Sequence, residues 1–191
     1  MDIKQAIRAS IDVKTKMLTD PSYAQCMEAI IEVLVTSFLA GGRVYFCGNG
    51  GSAADAQHLA AELSGRFYLD RKALPAEALH VNSSYMTAIS NDYSFEEAYA
   101  RWIEGIGRKG DVLIGISTSG NSKNIVNAME RAKLSGLETI GFTGAKVGMI
   151  DTHCDIILKV PSNDTPRIQE AHILAGHIIC QSVEEKLFSG L

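Results

Sequence analysis

Five short apolar runs, separated for the most part by helical stretches, constrain the fold of this 191-residue chain more than any other feature. They are Val44–Cys47, Ala76–Val81, Val112–Ile116, Thr139–Phe142 and Ile156–Val160, each of strand length and bounded by Gly, Asp, Pro or Asn. Helical patterning runs over Ser52–Ser64, Ser84–Ile106 (in two pieces), Ser122–Leu134 and Pro166–Phe188. A strand can lie parallel to its neighbour only through a long crossover, and a helix supplies one of fixed, right-handed sense. The alternation therefore predicts a parallel sheet covered by helices on both faces. Ligands of such sheets bind beyond the carboxyl ends of the strands, near a switch in strand order. The loops that follow the strands are the places to search.

Ahead of the first strand, Ile3, Ile7, Ile11 and Met17 fall at roughly helical spacing, and Asp20-Pro21 marks a break. A second helix, Tyr23–Leu39, carries Met27, Ile30, Ile31, Leu34, Val35 and Phe38 and closes at Gly41-Gly42. The expected organisation is one domain over 1–191, with an N-terminal helical segment 1–42 and an α/β core 43–191. At 46% hydrophobic and 21% charged residues, disordered and disulfide-scaffold classes are excluded. Acidic residues outnumber basic ones, 22 to 18, and no basic stripe marks a nucleic-acid binder. No apolar run approaches the ~20 residues of a membrane helix, and Met1–Gln5 is polar, so a cytoplasmic location is expected. Cys26, Cys47, Cys154 and Cys180 are scattered without a C-x-x-C pair, as expected of reduced thiols rather than a thiolate metal site.

Two loops carry chemistry. Gly48-Asn49-Gly50-Gly51-Ser52 follows the first strand; its glycines permit positive φ and a close ligand approach, and Ser52 with Asp55 fits a capping box. It is not G-x-G-x-x-G, which argues against a dinucleotide. Ser117-Thr118-Ser119-Gly120-Asn121-Ser122 follows the third strand and precedes a helix. Four hydroxyls beside the free N–H groups of a helix start suit a phosphate, and without G-K-[ST] this is no nucleotide P-loop. His58 and Glu62 are four apart on the helix opened by the glycine loop, hence on one face. Gln169 and His177 lie eight apart on the last helix, ~80° around its axis. One carboxylate and two imidazoles near a phosphate loop suit proton transfer or a metal such as zinc. His153 and His172 read as structural, Trp102 as packing and Cys47 as a buried strand residue.

The set Cys47–Ser52, His58 with Glu62, Asn91-Asp92, Gly115–Ser122, and Arg167-Ile168-Gln169-Glu170 with His177 resembles the phosphoheptose isomerases. These are the sedoheptulose 7-phosphate isomerases of the sugar-isomerase (SIS) superfamily, and the likeness runs through nearly the whole chain. It implies a flavodoxin-like SIS fold, a five-stranded parallel sheet between helices. It also implies a homotetramer with active sites at subunit interfaces and N-terminal helices serving assembly. The implied reaction converts D-sedoheptulose 7-phosphate, a phosphorylated seven-carbon sugar, to D-glycero-D-manno-heptose 7-phosphate, toward the nucleotide-activated heptoses of lipopolysaccharide and other surface glycans.

Carried over by position, Ser117, Thr118, Ser119 and Ser122 hold the phosphate. Asn49, Gly50, Gly51, Ser52, Asn91 and Asp92 line the sugar site, with Glu62 and Gln169 also touching substrate. Glu62 is the implied base and His177 its acid/base partner, and His58, Glu62, Gln169 and His177 are the implied ligands of one zinc per subunit. Ser90 stands where Gly is expected in many relatives; a left-handed backbone there would strain it. Three alternatives share parts of this pattern. One is a non-enzymatic superfamily member that binds the DnaA initiator, in which other residues match Glu62 and His177. Another is a sugar-phosphate sensor fused to a helix-turn-helix, for which no DNA-binding segment is present here. The third is an isomerase of a different sugar phosphate, such as arabinose 5-phosphate.

Overall fold

Along β1 (Val44–Gly48) every residue is buried, and alternate side chains feed different cores. Val44 and Phe46 join the core under α2 (Pro21–Leu39), α3 (Gly51–Ser64) and α7 (Thr165–Phe188). Tyr45 and Cys47 join the opposite core, under α5 (Ala98–Ile106) and α6 (Lys123–Leu134). β3 (Val112–Ile116) divides in the same way, Ile114 to the first core and Leu113 to the second. Each such Leu or Ile side chain taken from water contributes ~1.5–3 kcal/mol. The computed structural model describes residues 2–188, so Met1 and residues 189–191 of the expected 1–191 domain lie outside the described residues.

With β2 (Ala76–Ala78), β4 (Glu138–Thr143) and β5 (Ile156–Lys159), the strands form one parallel sheet in the order β2-β1-β3-β4-β5. That is the flavodoxin-like order, whose switch point lies between β1 and β3. Gly48 pairs with Ile116, so the loops after β1 and β3 leave the sheet side by side at that point. The two loops singled out in the sequence are therefore neighbours. β2 is shorter than the Ala76–Val81 run, because the chain turns at Leu79–His80 once Leu79 has donated its N–H to the Phe46 carbonyl. The long helical stretch after it divides into α4 (Ser83–Asp92), a 3-10 turn at Phe95–Glu97, and α5. Ser90 lies within α4, and no non-glycine residue among those described has a positive φ, so the expected strain is absent.

α1 (Ile3–Thr19) packs on α7 through Val13 and Met17, which meet Ile168 and Ala171. Arg167 donates to the Ala6 carbonyl at 2.6 Å, and Ser10 to Glu170 at 2.6 Å, so these two motif residues fasten α1. Ile3, Ile7 and Ile11 are exposed. By length and composition α2 is apolar enough to cross a membrane, contrary to the sequence expectation, yet its Ile30, Ile31 and Leu34 belong to the core. All four cysteines are free, in keeping with reduced thiols.

His172 is fully buried on α7 and donates through Nε2 to the Thr143 carbonyl at 3.1 Å, while its Nδ1 meets no partner. Burial pushes its pKa down to about 4, against a smaller opposing effect of the Thr143 bond. The unfolded chain takes up a proton near pH 6.5 that the folded chain refuses. This contribution is whole above pH 6.5 and is lost as the pH falls toward 4, by roughly 3 kcal/mol. Urea denaturation across that range should show the decline, and His172→Gln, though less stable at pH 7.5, should show a flatter one.

Candidate active site

The glycine loop is a tight turn with separate demands on its glycines. Ser52 N–H donates to the Asn49 carbonyl at 3.0 Å, and Gly50 has φ 55° and ψ −121°. This is the first central position of a type II′ turn, where a side chain is strained. At Gly51 a Cβ would come within 2.5 Å of the Gln169 amide nitrogen, so a side chain there would push the tip of Gln169 aside. The loop brings Gln169 on α7 against the start of α3. The capping box expected at Ser52 and Asp55 is not made. Gly50 is the N-cap, Ser52 is buried in the first turn, and Asp55 Oδ2 lies buried without a partner. The Tyr99 hydroxyl donates to the Gly48 carbonyl at 2.8 Å and holds the turn from beneath.

Beside it, Ser117–Ser122 closes around Gly120, which has φ 67°. Ser122 occupies the N-cap of α6 but makes no side-chain cap bond; its hydroxyl lies 3.2 Å from that of Ser117. The positive end of α6 thus keeps N–H groups and hydroxyls free for an anion. Ser119 is exposed, with its Oγ accepting from the Asn121 N–H at 3.2 Å, and Thr118 is half-buried. Asn124, buried in the first turn of α6, exchanges two amide hydrogen bonds with Asn49, at 2.9 and 2.8 Å. That pair locks the two loops together. The sequence offered no sign of it, because the partners are 75 residues apart and an Asn in a first helical turn is ordinary.

His58, Glu62 and His177 converge where α3 packs on α7. Glu62 Oε1 lies 3.0 Å from His58 Nε2, and His58 Nε2 lies 2.9 Å from His177 Nε2. Facing imidazole nitrogens satisfy one another only if one carries the proton. A cation among the three donors satisfies them all, and these ligand atoms lie within 4.8 Å of one another. The convergence depends on Gly176, where a Cβ would come within 2.5 Å of both Leu59 methyls. Phe67 packs on the His177 ring at 5.6 Å between centroids.

Asn91 and Asp92 end α4, exposed and hydrogen-bonded to each other at 2.9 Å; no hydrogen bond joins them to the other site residues. Replacing Asn124 by Ala should leave the Asn49 amide half-satisfied. Urea denaturation should read a loss of ~1–3 kcal/mol, and turnover assays a raised KM.

The SIS domain family matches residues 11–144. A phosphoheptose isomerase from Clostridium acetobutylicum is 53% identical over 186 residues, covering 97% of this chain and 95% of that protein. A solved phosphoheptose isomerase from Francisella tularensis superposes with a TM-score of 0.91 at 33% identity, covering 96% of each chain. One from Neisseria gonorrhoeae gives 0.90 at 37% identity, covering 96% of this chain and 97% of that one. With the sheet order and the two loops at the switch point, these likenesses establish that the chain belongs to the phosphoheptose isomerase family of SIS-domain proteins.

Proposed function

We propose that this chain interconverts D-sedoheptulose 7-phosphate and D-glycero-D-manno-heptose 7-phosphate through an enediol, with Glu62 as the base. The observation that carries this reading is the Glu62–His58–His177 cluster, held beside two loops suited to a phosphorylated chain. Glu62 takes a proton from C1 and returns it to C2. His177 moves the hydroxyl proton from O1 to O2, so the ketose becomes an aldose without net gain or loss. Ser117, Thr118, Ser119, Ser122 and the α6 N-terminus hold the phosphate far from the reacting carbons, which fixes C1 and C2 against the base. Asn49, Gly50, Gly51, Ser52 and Gln169 line the sugar.

The donor set also fits one zinc per subunit. Zinc bonds of about 2.0–2.1 Å place tetrahedral donors about 3.3 Å apart, near the 2.9 and 3.0 Å seen here. His58, Glu62 and His177 would hold it, with Gln169 as fourth ligand. When bound it supplies a Lewis acid for the carbonyl oxygen and the enediolate charge. A carboxylate held tightly by a metal is a weaker base, so a bound ion would either shift from Glu62 during turnover or serve partly in structure. The exposed Ile3, Ile7 and Ile11 support an assembly role for segment 1–42, as in a homotetramer. Asn91 and Asp92, exposed at the end of α4, would complete the sugar site, and the family likeness favours active centres at subunit interfaces. The four free thiols favour the cytoplasm.

Turnover of sedoheptulose 7-phosphate followed by NMR tests the reading. Wild type should form the aldose and Glu62→Gln should not, with sugar-phosphate affinity largely kept. A Glu62→Gln enzyme that turns over normally removes the base. A chelator should stop turnover and added zinc restore it. Ser119→Ala combined with Ser122→Ala should weaken phosphate-ester binding by tenfold or more, about 1.4 kcal/mol, by isothermal titration calorimetry; unchanged affinity removes the serine loop from the site.

A further inference from the structure

Away from the converging donors, Arg71 and Glu184 form an ion pair at 2.8 Å with both side chains 1% exposed. Glu184 lies seven residues beyond His177, two turns along the same face of α7. Its two oxygens accept the backbone N–H groups of Phe67 at 3.0 Å and of Tyr68 and Leu69 at 2.7 Å each. Arg71 donates through Nη2 to the carbonyl of Glu62 at 2.9 Å, and through Nη1 to Leu63 at 2.7 Å and Gly65 at 3.1 Å. The carbonyls of Glu62 and Leu63 belong to the last turn of α3, which has no partners within the helix, and a cation is favoured there.

We propose that the buried Arg71–Glu184 pair is a positioning device for the proton-transfer centre. Through Arg71 it fixes the backbone of Glu62, and through Glu184 it fixes the 67–69 loop whose Phe67 ring packs on His177. The inference rests on the isomerase reading of that centre. Arg71 meets the base's own carbonyl, and Glu184 meets the loop that sets the imidazole's neighbour. The two residues thereby tie α3 to α7 two turns below the point where His58, Glu62 and His177 meet. Lysine has one nitrogen and cannot reach Glu184 and the three carbonyls of α3 and its turn together.

The test compares Arg71→Lys, Glu184→Gln and Phe67→Ala with wild type. The readouts are kcat and KM, thermal melting, and the ring-proton resonances of His177 in metal-free protein. The Phe67 ring current marks those resonances, and Phe67→Ala gives their value without it. Arg71→Lys should melt cooperatively and lose about tenfold or more in kcat, since small misplacements of a base are costly. Its KM should stay within about twofold, and its His177 resonances should move toward those of Phe67→Ala. Phe67→Ala, whose side chain is only half-buried, should fold and lower kcat, which keeps the test open if Glu184→Gln does not fold. Folded Arg71→Lys with wild-type kcat and unmoved His177 resonances, or Phe67→Ala with wild-type kcat, would overturn the proposal. Wild-type protein without turnover would remove the isomerase reading instead, and the resonances would still decide the geometry.

Discussion

Where Gly176 meets Leu59, α3 and α7 pass so close that one added methyl group would overlap a buried leucine. Much of the site follows from that contact. His58 and Glu62 project from α3 and His177 from α7, and His177 would not meet the other two if the helices stood a side chain further apart. An overlap of this kind in a packed core is relieved only by moving backbone or forcing rotamers, at a cost of ~1–3 kcal/mol. In this fold the same movement would also open the cluster. A glycine on a helix face, normally a weakness of ~1 kcal/mol, here sets the distance between a carboxylate and an imidazole.

The sheet contributes differently. Parallel strands in the order β2-β1-β3-β4-β5 send the β1 and β3 loops out in opposite crossovers from adjacent strand ends, leaving a crevice between them. The Asn49–Asn124 pair closes that crevice at its base, so the glycine turn and the serine loop behave as one surface. One part of the site is thus built on the carboxyl ends of two interior strands and the other on a helix pair. Gln169 joins them, its amide lying against Gly51 while its helix carries His177.

Electrostatics reinforce the division. Burial alone would raise the Glu184 carboxyl, but three backbone donors and Arg71 together hold it below its ordinary value of 4.5. It therefore stays ionised throughout the neutral range. A desolvated pair left with one partner is strongly destabilising, which is why such groups persist only when fully bonded. The serine loop uses the opposite device, a helix N-terminus and neutral hydroxyls that bear no charge until an anion arrives.

The alternation of apolar runs determined the sheet, its parallel sense and the loops worth searching, because strand and helix periods are local properties of the chain. The His58–Glu62 spacing likewise determined a shared helical face. Ser52 shows the limit of local signals: its cap pattern is sound, yet the II′ turn at Gly50 puts the N-cap two residues earlier and buries the hydroxyl. Ile3, Ile7 and Ile11 have the spacing of a core stripe, but α1 turns Val13 and Met17 inward and leaves them outside. Asn124, Phe67, Arg71 and Glu184 carried no sequence signal, since each gains its meaning from a partner on another element. The sequence by itself determined the elements and the chemical groups available, through periodicity and side-chain type. Only the tertiary structure decided which groups meet, because helix separation and buried pairing are set by packing between segments more than a hundred residues apart.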